Sequence, residues 1–200
     1  MEYKLLGLNL VVLFSEPGKH SINLNELINM FPVETPFVFW QPDPISPGTI
    51  KYQQKPVEIT VINNHYQISS AAINNSIPTY FGEILSKALK ASEGRKINAF
   101  GFNFDFSCPN LEEIKDLFDI KIATKNFTYL PQSSIRFTFK KNNLTLIFEL
   151  TDRKPDSFLH INVHHEEPYL PKDLSEKIQE KLNIDFKTAE ELIKEVLVNA

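Results

Sequence analysis

The tetrapeptide Gly7-Leu8-Asn9-Leu10 returns as Gly101-Phe102-Asn103-Phe104, and a segment of helical pattern follows each copy. Those segments are Asn23-Leu24-Asn25-Glu26-Leu27-Ile28-Asn29-Met30-Phe31 and Asn110-Leu111-Glu112-Glu113-Ile114-Lys115-Asp116-Leu117-Phe118, which share their Asn, Leu, Glu and Phe positions. Asn9 to Asn103 is an offset of 94 residues and Asn23 to Asn110 one of 87. Loops absorb such differences at small entropic cost. The same succession of strand, helix, strands and helix runs on around both copies, which reads as an internal duplication.

In the first half, residues 3–14 alternate as a strand, with Leu6, Leu8, Leu10, Val12 and Phe14 on one side and Gly7, Asn9 and Val11 on the other. Pro32 closes the helix over 23–31, because proline lacks the amide hydrogen that continuation needs. Strands are expected at 36–40, 50–53, 57–62 and 66–69, the last two joined at Asn63-Asn64-His65. Pro78 opens a helix carrying Phe81, Ile84, Leu85, Ala88 and Leu89 at helical spacing, and Gly94 ends it.

The second half repeats this order. Phe100, Phe102, Phe104 and Phe106 alternate with Gly101, Asn103 and Asp105, so one face of that strand is wholly aromatic and must be buried. Further strands are expected at 126–130, 135–140, 144–151 and 158–165, with a tight turn at Lys141-Asn142-Asn143. Pro171 begins a helix carrying Leu174, Ile178 and Leu182. Thr188 and Glu191, at capping-box spacing, mark the start of a separate last helix. In each half the strands pair as antiparallel neighbours with helices on one side of the sheet, leaving the other side open.

The composition is that of a globular chain: 42% of residues are hydrophobic, including 16 phenylalanines, enough for a packed core in 200 residues. A net charge of −4 argues against a general polyanion binder but not against a local basic patch. The lone Cys108 excludes an internal disulfide and fits a reducing compartment, so an intracellular location is expected, cytoplasmic or, in a eukaryote, nuclear. Residues 5–14 are apolar enough for a signal core but have a start that is uncharged on balance and no small-residue cleavage pattern after them, and they read as a strand. No run approaches the ~20 apolar residues of a membrane span, so no membrane partner is expected.

This order of elements, with about 90 residues to each half, resembles the duplicated saddle of the TATA-binding protein and its distant relatives over residues 3 to about 183. Residues Asn9 and Asn103, Leu144-Thr145-Leu146-Ile147-Phe148, and Val57 to Ser69 carry the resemblance. It implies an α+β fold of two pseudo-symmetric strand-helix-four-strand-helix repeats, residues 1–94 and 95–183. These would form one curved antiparallel sheet with helices on one face, and residues 184–200 would add a C-terminal helix. It further implies that Asn9 and Asn103 sit on the open face, against a DNA minor groove. The family's groove-wedging phenylalanines correspond to Ser46, Val61, Pro131 and Phe148, of which only Phe148 is aromatic, so sharp kinking is not expected.

The expected DNA-binding residues are Asn9, Gln67, Ser69, Asn103, His160 and Asn162 on the open face, with Phe148 as the retained wedge. Basic side chains at Arg136, Lys140, Lys141, Arg153 and Lys154 would hold phosphates. As surface groups, Asn9 and Asn103 are expected to serve a partner rather than the fold. Double-stranded DNA is the leading partner; a second protein docked on the open sheet or the C-terminal helix is the alternative, favoured by the acidic balance. A metal-dependent enzyme is a distant third, resting on His160, His164 and Glu166 with Asp105. No catalytic residue, metal site or cofactor is assigned, since phosphate loops, dinucleotide fingerprints and nucleophile elbows are missing from the sequence.

Overall fold

The computed structural model describes residues 3–14, 37–39, 48–51, 57–62, 65–70, 96–108, 134–151, 157–166 and 171–198, together with positions 81, 83, 86, 87, 89 and 90. Among these residues nine strands form one sheet: β1 (Lys4–Phe14), β2 (Phe37–Phe39), β3 (Gly48–Lys51), β4 (Val57–Ile62), β5 (His65–Ser70), β6 (Ile97–Cys108), β7 (Ser134–Lys141), β8 (Leu144–Thr151) and β9 (Ser157–His165). They lie in the order β2-β3-β4-β5-β1-β6-β9-β8-β7, and every pairing is antiparallel. The fold is thus α+β. The helices expected at 23–31 and 110–118 and the strand expected at 126–130 lie outside the described residues. Positions 81, 83, 86, 87, 89 and 90 are helical, with Phe81 and Leu89, two turns apart, both buried.

The two longest strands meet in the middle of the sheet, where Leu8, Asn9 and Leu10 face Phe104, Asn103 and Phe102. Alternation then divides the sheet into two chemical faces. On one, Phe100, Phe102, Phe104 and Phe106 are completely buried beside Leu10, Ile59, Ile68, Ile161 and Val163. Leu6 departs from the expected stripe: the register shifts between Leu5 and Gly7, so Leu5 packs on the core and Leu6 is left 40% exposed. Between β7 and β8, Asn142 adopts φ 54°, the left-handed conformation that asparagine tolerates in a two-residue turn.

A single long helix, Pro171–Ile193, covers the apolar face and runs on into a π-helical turn, Lys194–Val198. Two helices were expected here, yet residues 172–198 contain no glycine or proline to break the backbone. Thr188 is not a cap. Its hydroxyl donates 3.1 Å to the carbonyl of Ile184, the bond of a helix-interior threonine. The boundary expected between residues 183 and 184 therefore falls inside an unbroken helix.

Polar contacts join this helix to the sheet. His165 Nε2 lies 2.6 Å from Asp185 Oδ2, both residues being buried, and the His165 ring stacks on Phe100 at 4.2 Å. Lys181 Nζ sits 5.5 Å from the centre of the same Phe100 ring, and Phe186 packs 5.5 Å from Phe104. Burial and the nearby Glu190 carboxylate raise the Tyr3 hydroxyl above its ordinary pKa. Replacing Asp185 by alanine leaves a buried imidazole without its acceptor. The urea midpoint should fall by the equivalent of about 2 kcal/mol with an unchanged denaturant slope, and Asp185→Asn should lose less.

Cys108 ends β6 and is fully buried, which pushes its thiol up to about 11. Desolvation disfavours the thiolate. A disulfide reagent at about pH 8 should therefore leave the folded chain unmodified and react stoichiometrically only in denaturant. Rapid modification of the folded chain would contradict this burial.

Candidate functional site

The face opposite the helix is polar because its residues alternate with the core-facing set on every strand. Among the described residues, no element packs on it. At its centre, Ser69, Asn9, Asn103 and Asn162 are direct cross-strand neighbours on β5, β1, β6 and β9. Three of them form a directed chain of amides. Asn162 Nδ2 donates to Asn103 Oδ1 at 2.7 Å, and Asn103 Nδ2 donates to Asn9 Oδ1 at 2.6 Å. On three adjacent strands this chain spans two inter-strand spacings, about 9.6 Å.

Two glycines clear the ground on either side. A Cβ on Gly7 would stand 3.2 Å from Asp105 Oδ2, and one on Gly101 would stand 3.1 Å from both Asn162 Nδ2 and the Val163 carbonyl. Without side chains there, Asp105 and Asn162 can lie across neighbouring strands. The row beside the amides runs Gly7, Asp105, His160, Glu149 and Arg136 from β1 to β7. In it His160 Nδ1 lies 2.7 Å from Asp105 Oδ1, and the Ser134 hydroxyl donates to Glu149 at 2.9 Å. On the other side of the amides lie Thr60, Gln67, Val11, Gly101, His164, Thr145 and Lys140.

The structure thus gathers Asn9, Gln67, Ser69, Asn103, His160, Asn162, Arg136 and Lys140 on one face. It does not place the other expected residues there. Phe148 is fully buried on the helix side, because it pairs with Ile161 and Phe137 in the core-facing register, and it cannot act as a wedge. Lys141 also points to the helix side, one residue on from Lys140, and its ammonium lies 2.7 Å from Glu191 Oε2. That contact raises the lysine and lowers the glutamate from their ordinary values. Arg153 and Lys154 lie outside the described residues.

Asn103 also departs from expectation. It is only 8% exposed and is bonded on both sides, so it is a structural group as well as a surface one. Alternation within β6 and β9 places Asn103, Asp105, His160 and Asn162 on one face, while the facing of Asp105 with His160 and of Asn103 with Asn162 follows from the pairing of those two strands. Among the described residues no group of three or more His, Cys, Asp or Glu is placed to hold a metal ion.

No protein family and no curated protein matches this chain in sequence. A solved structure to which it is similar is Methanococcus jannaschii TBP, with 12% identity, 98% of this chain and 100% of that chain covered, and a TM-score of 0.36. A likeness so distant concerns the fold alone. No described helix is long and apolar enough to cross a membrane.

The amide chain makes a stability prediction of its own. Asn103→Ala removes two hydrogen bonds from a buried centre and should cost about 1–3 kcal/mol, whereas Asn9→Ala removes one acceptor and should cost about 1 kcal/mol or less. Equal, negligible losses in thermal melts would mean that the amides are not coupled.

Proposed function

We propose that the chain is a non-catalytic binding protein that docks double-stranded DNA on the polar face of its sheet. The observation that carries this reading is the row Ser69, Asn9, Asn103 and Asn162, set centrally on a face that no described element covers. Amides offer both donors and acceptors, which suits the acceptor-lined edges of a minor groove. With a rise of about 3.4 Å per base pair, a row about 9.6 Å long would lie along about three base pairs. The strand order supports the duplicated reading: outward from the β1–β6 pair, β5, β4, β3 and β2 succeed one another on one side and β9, β8 and β7 on the other.

The phosphate-holding charge in this reading comes from Arg136 and Lys140, both exposed, with Arg153 and Lys154 as further candidates. With Phe148 in the core, the duplex is held without intercalation. A protein partner is the second reading, and a specific observation favours it. Glu58, Asp105 and Glu149 stand on this face among Lys4, Arg136 and Lys140, so it is not a uniformly basic surface.

Titration of a mixed-sequence duplex at about 50 and about 200 mM salt separates the two readings. Binding should weaken at the higher salt. Reversing Arg136 and Lys140 to glutamate should weaken it further and reduce the slope of log affinity against log salt by about 2. Absence of duplex binding at the lower salt would remove the DNA reading and leave protein docking.

A further inference from the structure

His160 and Asp105 form a contact on the open face that the amide row does not use. The His160 side chain is 32% exposed and that of Asp105 25%, with Nδ1 and Oδ1 2.7 Å apart. A carboxylate can only accept, so Nδ1 carries the hydrogen and donates it. The neutral ring is thereby left with its lone pair on Nε2. In that state Nε2 is an acceptor, and phosphate oxygens and minor-groove base edges are acceptors too. A proton added at Nε2 converts it into a charged donor without disturbing the bond to Asp105.

We propose that His160 is a proton-operated hydrogen-bond donor on the open face, held in one tautomer by Asp105, so that docking of a DNA duplex tightens as the solution is acidified. The proposal rests on the duplex-binding reading above. The groups that face this imidazole are Asp105 from β6 and Glu149 from β8, with Arg136 beyond Glu149 on β7 and Asn162 two residues along its own strand. His164 lies on the same face between Gly101 and Thr145, with Lys140 beyond, and it adds a second proton site that no carboxylate neighbours directly across the strands.

Protonation places a positive charge on His160 between the carboxylate-bearing Asp105 and Glu149, on the face that also carries Arg136 and Lys140. By linkage, a polyanion that prefers the protonated face must bind more tightly as pH falls, and the imidazole must bind its proton more tightly when the duplex is present.

The experiment measures the affinity of a mixed-sequence duplex at about pH 7.5 and about pH 5.5 at fixed salt, together with long-range proton–nitrogen NMR spectra of the imidazole rings. Affinity should rise severalfold at the lower pH, and His160→Gln should reduce that ratio at least about twofold. At about pH 8, the His160 ring should show its hydrogen on Nδ1. Duplex binding that is equal at the two pH values would overturn the switch while leaving the DNA reading intact. A wild-type pH ratio in a folded His160→Gln variant, or a hydrogen on Nε2 at the higher pH, would overturn it as well. Absence of duplex binding at both pH values would overturn this proposal and the DNA reading together.

Discussion

The antiparallel pairing of β1 with β6 is the constraint on which everything else depends. It joins residues 94 positions apart, Asn9 to Asn103, in the middle of a nine-stranded sheet. Because side chains alternate with a period of two, a slip of one residue would turn Phe100, Phe102, Phe104 and Phe106 outward and carry Asn103 and Asp105 into the core. Exposing four such rings forfeits about 6–12 kcal/mol, comparable to the whole stability of an ordinary domain. The register is therefore held by burial, and the polar face is a by-product of that hold.

Neighbouring residues can meet opposite fates under this rule. Lys140 and Lys141 are adjacent, yet one stands on the open face and the other is drawn to Glu191 on the helix. Likewise His164 lies on the open face while His165 is buried against Asp185. The two sides of the β1–β6 seam also differ: Asn9 meets the short Ser69 on β5, whereas Asn103 meets the longer Asn162 on β9. The amide chain runs in one direction, from β9 towards β1.

Most of the sheet was legible because the signal was periodic. Alternating phenylalanines located β6, and the asparagine pair between β7 and β8 located their turn. The failures have physical causes. A bulge is one extra residue and leaves alternation readable on both sides of itself, so the exposed Leu6 was assigned to the core. Capping-box spacing at Thr188 is satisfied equally well inside a helix, where the hydroxyl bonds backwards to Ile184. Phe148 was assigned through resemblance to a family position, while its own alternation with Leu146 and Leu150 already placed it in the core. The partners of Asp105, Asp185 and Glu191 depend on which strands adjoin and where the helix crosses, which no local pattern encodes.

The strand order has a consequence for the chain as it is made. Of the nine strands β1 is made before the others, but its central neighbour β6 begins only at Ile97, so one edge of β1 must wait for it. During that interval β1, bearing Leu8, Leu10, Val12 and Phe14, has one edge unpaired and its apolar face without the C-terminal helix. An uncovered apolar strand edge is the kind of surface that nascent-chain chaperones hold and that aggregation exploits. The seam that makes the finished sheet continuous is thus also the late, long-range step of its biogenesis.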